Sequence, residues 1–333
     1  MEGLRYVTDR ATGLTRHRRT GRDGKPVFSF RATSGRPIKD KATLARIGSL
    51  AIPPAWEDVW ICPHPRGHIQ ATGRDARGRK QYRYHPAWNT GKDELKHGRM
   101  RQFGRSLPRL RRTLRADLKQ PGLPREKVLA LVLSLMDQTY ARVGNTEYAR
   151  NNGSFGLSTL QDRHARFARH GTGASLRFPG KGGTLHDVPI EDRRLAALVR
   201  KCQHLPGQHL FQYVDEDGRR HDVDSGQVNA YLREHVGDGF SVKDFRTWHA
   251  TRRAFELLLK VPLPEPCTEA ACRRAVNEVI CQVARQLRNT PAVCRKSYIN
   301  PVVLKAWREG KGPFAKGRRA GRSAATLLSL LRQ

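Results

Sequence analysis

The pattern of apolar and polar residues changes character along the chain and divides it into two regions. Up to about residue 90, short runs rich in β-branched and aromatic residues alternate with glycine and proline, a pattern that predicts strands. The predicted strands cover residues 26–33, 58–64, 67–73 and 81–88, and the middle two form a hairpin. From about residue 92 the apolar residues recur at helical spacing instead.

The second region is predicted to be mainly helical. It opens with two basic amphipathic segments separated near Pro108, and its most apolar helix covers residues 124–144, with Pro124 near the start and Gly144 at the end. Residues 174–190 interrupt the helices with a hairpin and a glycine-rich turn, and Ser225 is a plausible N-cap. The remaining predicted helices cover residues 191–205, 225–236, 251–260, 269–288 and 326–333, with a basic linker at 312–325.

This order of elements predicts an α+β protein of two domains. A chain of 333 residues has room for two domains of ordinary size. We expect a small β-rich N-terminal domain over residues 1–91 and a larger, mostly α domain over residues 92–333 with a basic C-terminal tail. The apolar pattern changes from strand-like to helical at residues 89–96, and this segment is the predicted linker.

The charge of the chain indicates a polyanionic partner. Sixty-three Lys and Arg residues against thirty Asp and Glu residues give a formal net charge of +33, which repels itself in a compact fold. Nucleic acid is the first candidate, because neutralising phosphates releases counterions. No apolar run is long enough for a transmembrane helix, and the N-terminus lacks the apolar core of a signal peptide. We therefore expect a cytoplasmic, nucleoid-associated protein with reduced cysteines.

The sequence offers no convincing metal or ATP site. Cys267, Cys272 and Cys281 form no C-x-x-C pair, and Cys62 with two nearby histidines has only loose ligand spacing, so buried or loop positions are the favoured interpretation. The turn at Lys181 does not match a phosphate-binding Walker loop. We expect no cofactor and no metal ion.

Four residues have the chemistry that attack on a phosphodiester requires. Arginine binds the oxygens of a phosphate through two hydrogen bonds, and a nucleophile and an acid for the leaving oxygen complete the set. Taken singly, each candidate is better explained as a solvated cation or a core tyrosine. They are Arg142 in TYARVGN, Lys181 in PGKGG, Arg246 in KDFRTWHATR and Tyr298 after an Asn-Thr-Pro turn.

The order and context of these residues resemble the type IB DNA topoisomerases, in particular their compact bacterial and poxvirus-like branch. The resemblance runs over most of residues 25–305. The matching segments are GRDARGRKQYRYHPAW (73–88), TYARVGNTEYARNNGSFGLSTL (139–160), SLRFPGKGG (175–183), SVKDFRTWHATRRAF (241–255) and RNTPAVCRKSYINPVVL (288–304).

The resemblance implies relaxation of positive and negative supercoils of double-stranded DNA without ATP or metal. Tyr298 would attack the scissile phosphate and form a 3′-phosphotyrosyl bond. Arg142 and Arg246 would bind the non-bridging oxygens, and Lys181 would protonate the departing 5′ oxygen. Asn289 stands where poxvirus and eukaryotic members have histidine, as bacterial members do; it donates a hydrogen bond but is not a general base. Its alternative role is to cap the local turn.

The resemblance also implies contacts with DNA outside the reacting groups. Gln81, Tyr82, Tyr84, Tyr148 and Lys243 match positions of this kind. Tyr82 and Tyr84 share one face of a strand, so packing is an alternative for both. The family further implies a monomer whose two domains clamp the duplex about the predicted linker.

Two other functions compete with this one. A tyrosine recombinase shares the catalytic fold but places histidine three residues before the second arginine, where this chain has Lys243. His249 and Arg252 imitate that spacing in a shifted register, which we interpret as coincidence. A non-enzymatic architectural DNA-binding protein would explain the charge but not the ordered Arg, Lys, Arg and Tyr.

Overall fold

A computed structural model describes residues 3–168, 173–266, 268–315 and 324–332 of the chain. The chain divides into two compact units, Met1–Lys96 and His97–Gln333. The first is built on a five-stranded sheet and the second mainly on helices. The predicted α+β class, with a small β-rich region before a larger helical one, is confirmed.

The first unit is an antiparallel sheet with strand order β2-β1-β3-β4-β5. Its strands are β1 (Leu14–Thr20), β2 (Pro26–Ala32), β3 (Glu57–Ile61), β4 (Ile69–Arg74) and β5 (Lys80–Tyr84), and helix α1 covers Lys41–Ser49. Its core contains Ile47 of α1 with Val59, Ile61 and Ala71 of the sheet. The predicted strands are present, and β1 was missed because LTRHRRT is almost entirely polar and exposed.

The segment that follows β5 differs from the prediction. Strand β5 ends at Tyr84, and helix α2 covers Pro86–Asp117, so residues 86–88 are helical. Pro86 suits the first helical position because its ring fixes φ and it has no N–H to leave unbonded. Residues 89–96, predicted as a linker, lie within this helix, and the two compact units divide directly after them, between Lys96 and His97.

The predicted break near Pro108 is also wrong, because Pro108 lies inside α2. A buried apolar stripe continues past the proline at helical spacing and packs in the core of the second unit. Burying this stripe outweighs the one backbone hydrogen bond that proline cannot make. The stripe consists of Met100, Phe103, Leu107, Leu110 and Leu114.

The second unit is a set of helices with two small antiparallel sheets. Its further helices are α3 (Arg125–Thr139), α4 (Thr146–Asn152), α5 (Arg193–Gln203), α6 (Ser225–Val236), α7 (Val242–Leu258), α8 (Glu269–Leu287), α9 (Pro291–Ser297), α10 (Pro301–Arg308) and α11 (Ala324–Leu330). Its strands are β6 (Ala165–Phe167), β7 (Ala174–Pro179), β8 (Leu185–Pro189), β9 (Gln212–Val214) and β10 (Arg220–Asp222).

Helix α3 runs through the core, and every residue from 127 to 136 is buried. It ends at Thr139, earlier than the predicted Gly144, because Tyr140 adopts a left-handed conformation with φ of 59°. Helix α6 is capped by Asp224 rather than Ser225, since the carboxylate of Asp224 accepts from the Gln227 N–H. Helix α7 starts nine residues before its predicted start, which places Arg246 on a helix.

The predicted hairpin is present as β7 and β8, with Phe178 opposite His186. Its turn, Lys181–Gly183, needs glycine because Gly182 has a φ of 82°. The basic linker predicted at 312–325 begins with a short 3₁₀ turn at Gly312–Phe314, while its residues 316–323 and Cys267 lie outside the described residues. Within the described ranges, no helix is long and apolar enough to cross a membrane.

Candidate active site

Arg246 is a buried cation held by the ends of two helices. Its side chain is 5% exposed, and the guanidinium donates to the backbone carbonyls of Tyr140 and Leu287, the latter at 2.8 Å. These carbonyls belong to the C-terminal ends of α3 and α8, where the helix dipole is negative and stabilises a cation. Nε of Arg246 has no hydrogen-bond partner among the described residues, which leaves a donor for a ligand.

Tyr298 is half-buried in the tight connection between α9 and α10. Its backbone N–H donates to the Cys294 carbonyl at 3.1 Å and closes α9. On the other side, the fully buried Thr251 of α7 donates its hydroxyl to the Tyr298 carbonyl at 3.1 Å and accepts from the Asn300 N–H at 2.9 Å. One helix therefore supplies Arg246 and also fixes the backbone of Tyr298.

The electrostatic environment of Tyr298 favours the phenolate. Burial acts to raise the pKa of the phenol, but the positive charges of Arg246 and Arg142, with hydrogen bonds from both, lower it below its ordinary value. The Arg246 guanidinium lies 5.2 Å from the centroid of the Tyr298 ring. A free phenol with a pKa near 10 is a weak nucleophile at neutral pH, and these two arginines correct that.

Arg142 reaches the site from an extended segment between α3 and α4. The carbonyl of Arg142 accepts from the Leu157 N–H at 2.9 Å, which ties this segment to the loop after α4. A Cβ on Gly156 would lie 2.7 Å from that carbonyl and 2.4 Å from the Gly144 nitrogen, so only glycine allows the two backbones to approach. The charge of Arg142 also acts to lower the pKa of Arg246, which is consistent with the two guanidinium groups being neighbours.

Asn289 follows the end of α8, beside the arginines. Its backbone N–H donates to the Ala284 carbonyl at 2.9 Å, and its Oδ1 accepts from the Thr290 N–H at 3.2 Å. The second contact agrees with the turn-capping alternative. Its Nδ2 is buried and has no partner among the described residues, so the amide retains a donor for a phosphoryl oxygen.

No hydrogen bond or ion pair of the described residues joins Lys181 to the other four candidates. Lys181 is exposed at the turn of the β7–β8 hairpin. The neighbouring strand instead presents His186, which is buried, and the charges of Arg288, Arg142 and Arg246 add to burial in lowering its pKa to about 4. Arg288 donates to the Asp187 carbonyl at 2.9 Å and ties this hairpin to the end of α8.

The predicted DNA-contacting residues lie on both units. On β5, the rings of Tyr82 and Tyr84 stack 5.8 Å apart, as their alternation predicts, and Tyr82 is 42% exposed. Beside them, Gln81 donates its side-chain amide to Asp75 at 2.9 Å. In the second unit, Tyr148 is 48% exposed on α4.

Lys243 is exposed in the first turn of α7, three residues before Arg246. The surface exposure of Lys243 and of the two exposed tyrosines leaves these side chains available to a polyanion.

Sequence reasoning missed Thr251, His186 and the carbonyls that hold Arg246. His186 has a weak signal, because it shares the alternation of β8 with the buried Val188. Thr251 and the carbonyls have none, since a threonine within a helix and a backbone oxygen carry no pattern of their own. Their roles depend on contacts between residues far apart in the chain.

The arrangement can stabilise a pentacoordinate phosphate with hydrogen-bond donors that the protein itself supplies. Two arginines lie close to a tyrosine whose pKa is lowered, and preorganised donors of this kind cost no reorganisation during reaction. Among the described residues, no three His, Cys, Asp or Glu side chains cluster as metal ligands.

Models and sequences of known proteins match the chain over most of its length. The model for the catalytic core of eukaryotic DNA topoisomerase I matches residues 85–309, and that for the N-terminal domain of bacterial DNA topoisomerase IB matches residues 27–75. The chain is 33% identical over 269 residues to DNA topoisomerase 1B of Acanthamoeba polyphaga mimivirus, covering 79% of this chain and 80% of the viral protein. It is 20% identical over 240 residues to DNA topoisomerase I of monkeypox virus and to DNA topoisomerase 1B of vaccinia virus (strain Copenhagen), covering 70% of each chain.

The fold and these matches define an isomerase that acts on DNA. The resemblance seen in the sequence is thereby confirmed, and so is the nucleic-acid partner that the charge predicts. The chain belongs to the type IB DNA topoisomerase family.

Proposed function

We propose that this topoisomerase relaxes positive and negative supercoils by cutting one strand of duplex DNA, allowing it to rotate, and resealing it. The oxygen of Tyr298 bonds to the scissile phosphorus to give a 3′-phosphotyrosyl bond, and the bond to the 5′ oxygen breaks. Because this ester conserves the energy of the original phosphodiester, the cycle requires neither ATP nor a metal ion. The supporting observation is the Tyr298 phenol, whose pKa two arginines lower despite burial.

The neighbouring side chains have distinct roles in this proposal. Arg142 and Arg246 bind the non-bridging oxygens as negative charge increases on them, and donors of this kind contribute about 10²- to 10³-fold each in comparable sites. Asn289 donates its unpaired Nδ2–H to the same phosphate. Lys181 protonates the leaving 5′ oxygen, which requires the side chain at the hairpin turn to approach once DNA is bound.

The remaining parts of the proposal concern DNA binding, oligomeric state and cellular location. Gln81, Tyr82 and Tyr84 contact DNA from the first unit, and Tyr148 and Lys243 do so from the second, with amide, phenol and ammonium groups suited to base edges and phosphates. The catalytic groups all come from one chain, so the enzyme acts as a monomer. We place it in the bacterial cytoplasm, associated with the nucleoid.

The experiment is relaxation of negatively and of positively supercoiled plasmid in EDTA without ATP. Wild type is compared with Tyr298→Phe and with Tyr213→Phe, a control that removes another half-buried tyrosine hydroxyl from the same unit. We expect wild type and the control to relax both signs, and Tyr298→Phe to bind DNA without relaxing it. A denaturant quench during the reaction should trap a protein–DNA adduct with wild type and with the control, but not with Tyr298→Phe.

Relaxation by Tyr298→Phe would refute the assignment of the nucleophile. Tight DNA binding by wild type with neither relaxation nor adduct would favour an architectural role, and an adduct confined to a specific site with strand exchange would favour a recombinase.

A further inference from the structure

A partly buried polar network connects three helices of the second unit close to Arg246. Arg111 of α2 binds Asp137 of α3 through two hydrogen bonds, from Nε at 2.7 Å and from Nη2 at 3.0 Å. His249 of α7 contacts the same carboxylate, with Nε2 2.9 Å from Oδ1. His249 is 4% exposed, and it is the histidine of the sequence pattern interpreted above as coincidence.

The charges in this network are fixed by its own hydrogen bonds. Burial acts to raise the pKa of Asp137, but hydrogen bonds from His249 and Arg111 and the positive charge of Arg111 hold it well below its usual range. Burial lowers the pKa of His249 in spite of the carboxylate, so the imidazole is neutral and donates its Nε2–H. Ion pairs, whether exposed or buried, stabilise a fold little compared with apolar packing, which suggests that this partly buried one serves to fix a geometry.

The network lies one helical turn from the contacts that hold Arg246. Asp137 lies in the last turn of α3, three residues before Tyr140, and His249 follows Arg246 by three residues on one face of α7. The Tyr140 ring lies against the His249 ring, with centroids 4.5 Å apart. The carbonyl of Tyr140 in turn accepts from Arg246.

Tyr140 is the point through which the network acts on both arginines. Its left-handed φ of 59° is unfavourable for a residue with a side chain, so the surroundings must hold it there. The orientation of its peptide sets where its carbonyl meets Arg246, and Arg142 follows only two residues later. A shift of Tyr140 therefore displaces both groups that we assign to the phosphate.

We infer that Arg111, Asp137 and His249 are positioning residues for transesterification, fixing Tyr140 and through it Arg246 and Arg142. The inference rests on the function proposed above for those arginines. None of the three touches reacting atoms. Because the arginines act in a transition state shared by cleavage and religation, weakening the network should slow both steps by the same factor and leave their equilibrium unchanged.

The test measures single-turnover cleavage and religation of a duplex oligonucleotide by the full-length protein. The first variant is Asp137→Asn, whose amide N–H would face the donors of Arg111 and His249 in place of a carboxylate oxygen. The second is Arg111→Gln, which removes the two hydrogen bonds from Arg111 to Asp137. We expect rate constants about tenfold to a hundredfold lower in both directions, as displaced catalytic groups give, with unchanged affinity for DNA and unchanged burst amplitude. His249→Gln should stay close to wild type, because its amide N–H reaches the position of Nε2.

The matched control is Asp222→Asn, which breaks an Asp–His pair of similar length, 2.8 Å to His209, at the surface of the same unit. It should react at the wild-type rate. A merely structural network would reduce the amplitude, through a smaller folded fraction, without changing the rate constant. That result, or a wild-type rate in both Asp137→Asn and Arg111→Gln, would overturn the inference.

A double variant separates this inference from the proposed function. If the network acts through Arg246, Asp137→Asn should slow an Arg246→Lys enzyme by much less than it slows wild type. The same fold decrease in rate in both backgrounds would contradict the inference. Wild type that forms no adduct through Tyr298 would instead refute the proposed function itself.

Discussion

At the scale of single residues, the reactivity of the site comes from neighbours whose own chemistry is ordinary. Tyr298 gains its lowered pKa from two arginines, and Arg246 gains its fixed position from two carbonyls at helix ends. The backbone of Tyr298 gains its position from the hydroxyl of Thr251. Removing such a neighbour should therefore slow the reaction without weakening the binding of DNA.

Thr251→Val tests this expectation with a side chain of nearly the same shape. The change leaves the buried Tyr298 carbonyl and Asn300 N–H without the hydroxyl that satisfies both, and each lost partner costs about 1–3 kcal/mol. We expect cleavage to slow about tenfold at unchanged DNA affinity, and Thr251→Ser to restore most of the rate. Single-turnover kinetics and equilibrium binding measure the two quantities.

Thr247→Val is the control for Thr251, because Thr247 is also buried on α7, but the one hydrogen bond of its side chain among the described residues is a 3.4 Å contact from the hydroxyl to the Lys243 carbonyl of the same helix. A wild-type cleavage rate for Thr251→Val, or equal losses in the two valine variants, would contradict the role assigned to Thr251.

The candidate residues could be proposed from the sequence only as a set. In a chain with 63 Lys and Arg residues, nothing in the spacing of these residues shows that Arg246 is 5% exposed while Lys181 is exposed on the surface. That difference arises because α3 and α8 end beside α7, and helix ends far apart in sequence leave no periodic signal. His249 was set aside for the same reason, since its partner Asp137 is 112 residues away.

At the scale of elements, periodicity predicted what each segment is, while packing decided where it ends. The hairpin and the apolar helix were found because their patterns are strong, but α3 stops at Tyr140 because of a left-handed residue that no propensity favours. Helix α2 continues through Pro108 because its buried stripe requires it. The β7–β8 hairpin carries Lys181. The backbone at the start of its turn, Gly180, packs closely against the His186 ring.

Gly180→Ala should disturb the hairpin through its contact with His186. A Cβ at this position would lie 2.4 Å from Nε2 of the buried imidazole, so the ring or the turn must move. We expect a lower melting temperature and slower cleavage, since the moved turn carries Lys181. Adding His186→Ala should recover much of the lost stability because it removes the clashing ring, as thermal unfolding would show.

The control for Gly180 is Gly98→Ala within α2, where a Cβ meets nothing within 4 Å and alanine favours the helix. It should be neutral or slightly stabilising. If Gly180→Ala behaves like this control, or if the double variant is no more stable than Gly180→Ala, the contact with His186 does not restrict the turn.

At the scale of the whole molecule, the charge of +33 limits which further groups can ionise. The repulsion among these excess cations predicts a polyanionic partner, and the family acts on DNA. The second unit keeps its buried histidines neutral, because another cation next to the arginines would add repulsion to the cost of burial. Composition cannot reveal this feature, which appears only when burial and neighbours are known.

The neutral histidines should make the second unit unstable in acid. Burial, with the charge of Arg163, lowers the pKa of His164 to about 4, and its Nδ1 accepts from the Gln161 N–H at 2.9 Å. Between pH 6.5 and 4 the unfolded chain binds a proton at this histidine that the folded chain does not. The contribution to stability is therefore present above pH 6.5 and is lost as the pH falls towards 4.

The expected loss of stability in acid can be measured by denaturant unfolding at pH 7 and pH 4.5, with far-ultraviolet circular dichroism as the signal. His164→Gln keeps an acceptor but does not titrate, so the loss of unfolding free energy on acidification should be smaller by roughly 2 kcal/mol than in wild type. The exposed His204→Gln of the same unit should keep the wild-type pH dependence. Equal acid sensitivity in His164→Gln and wild type would show that proton binding at this buried histidine does not limit the stability of the fold.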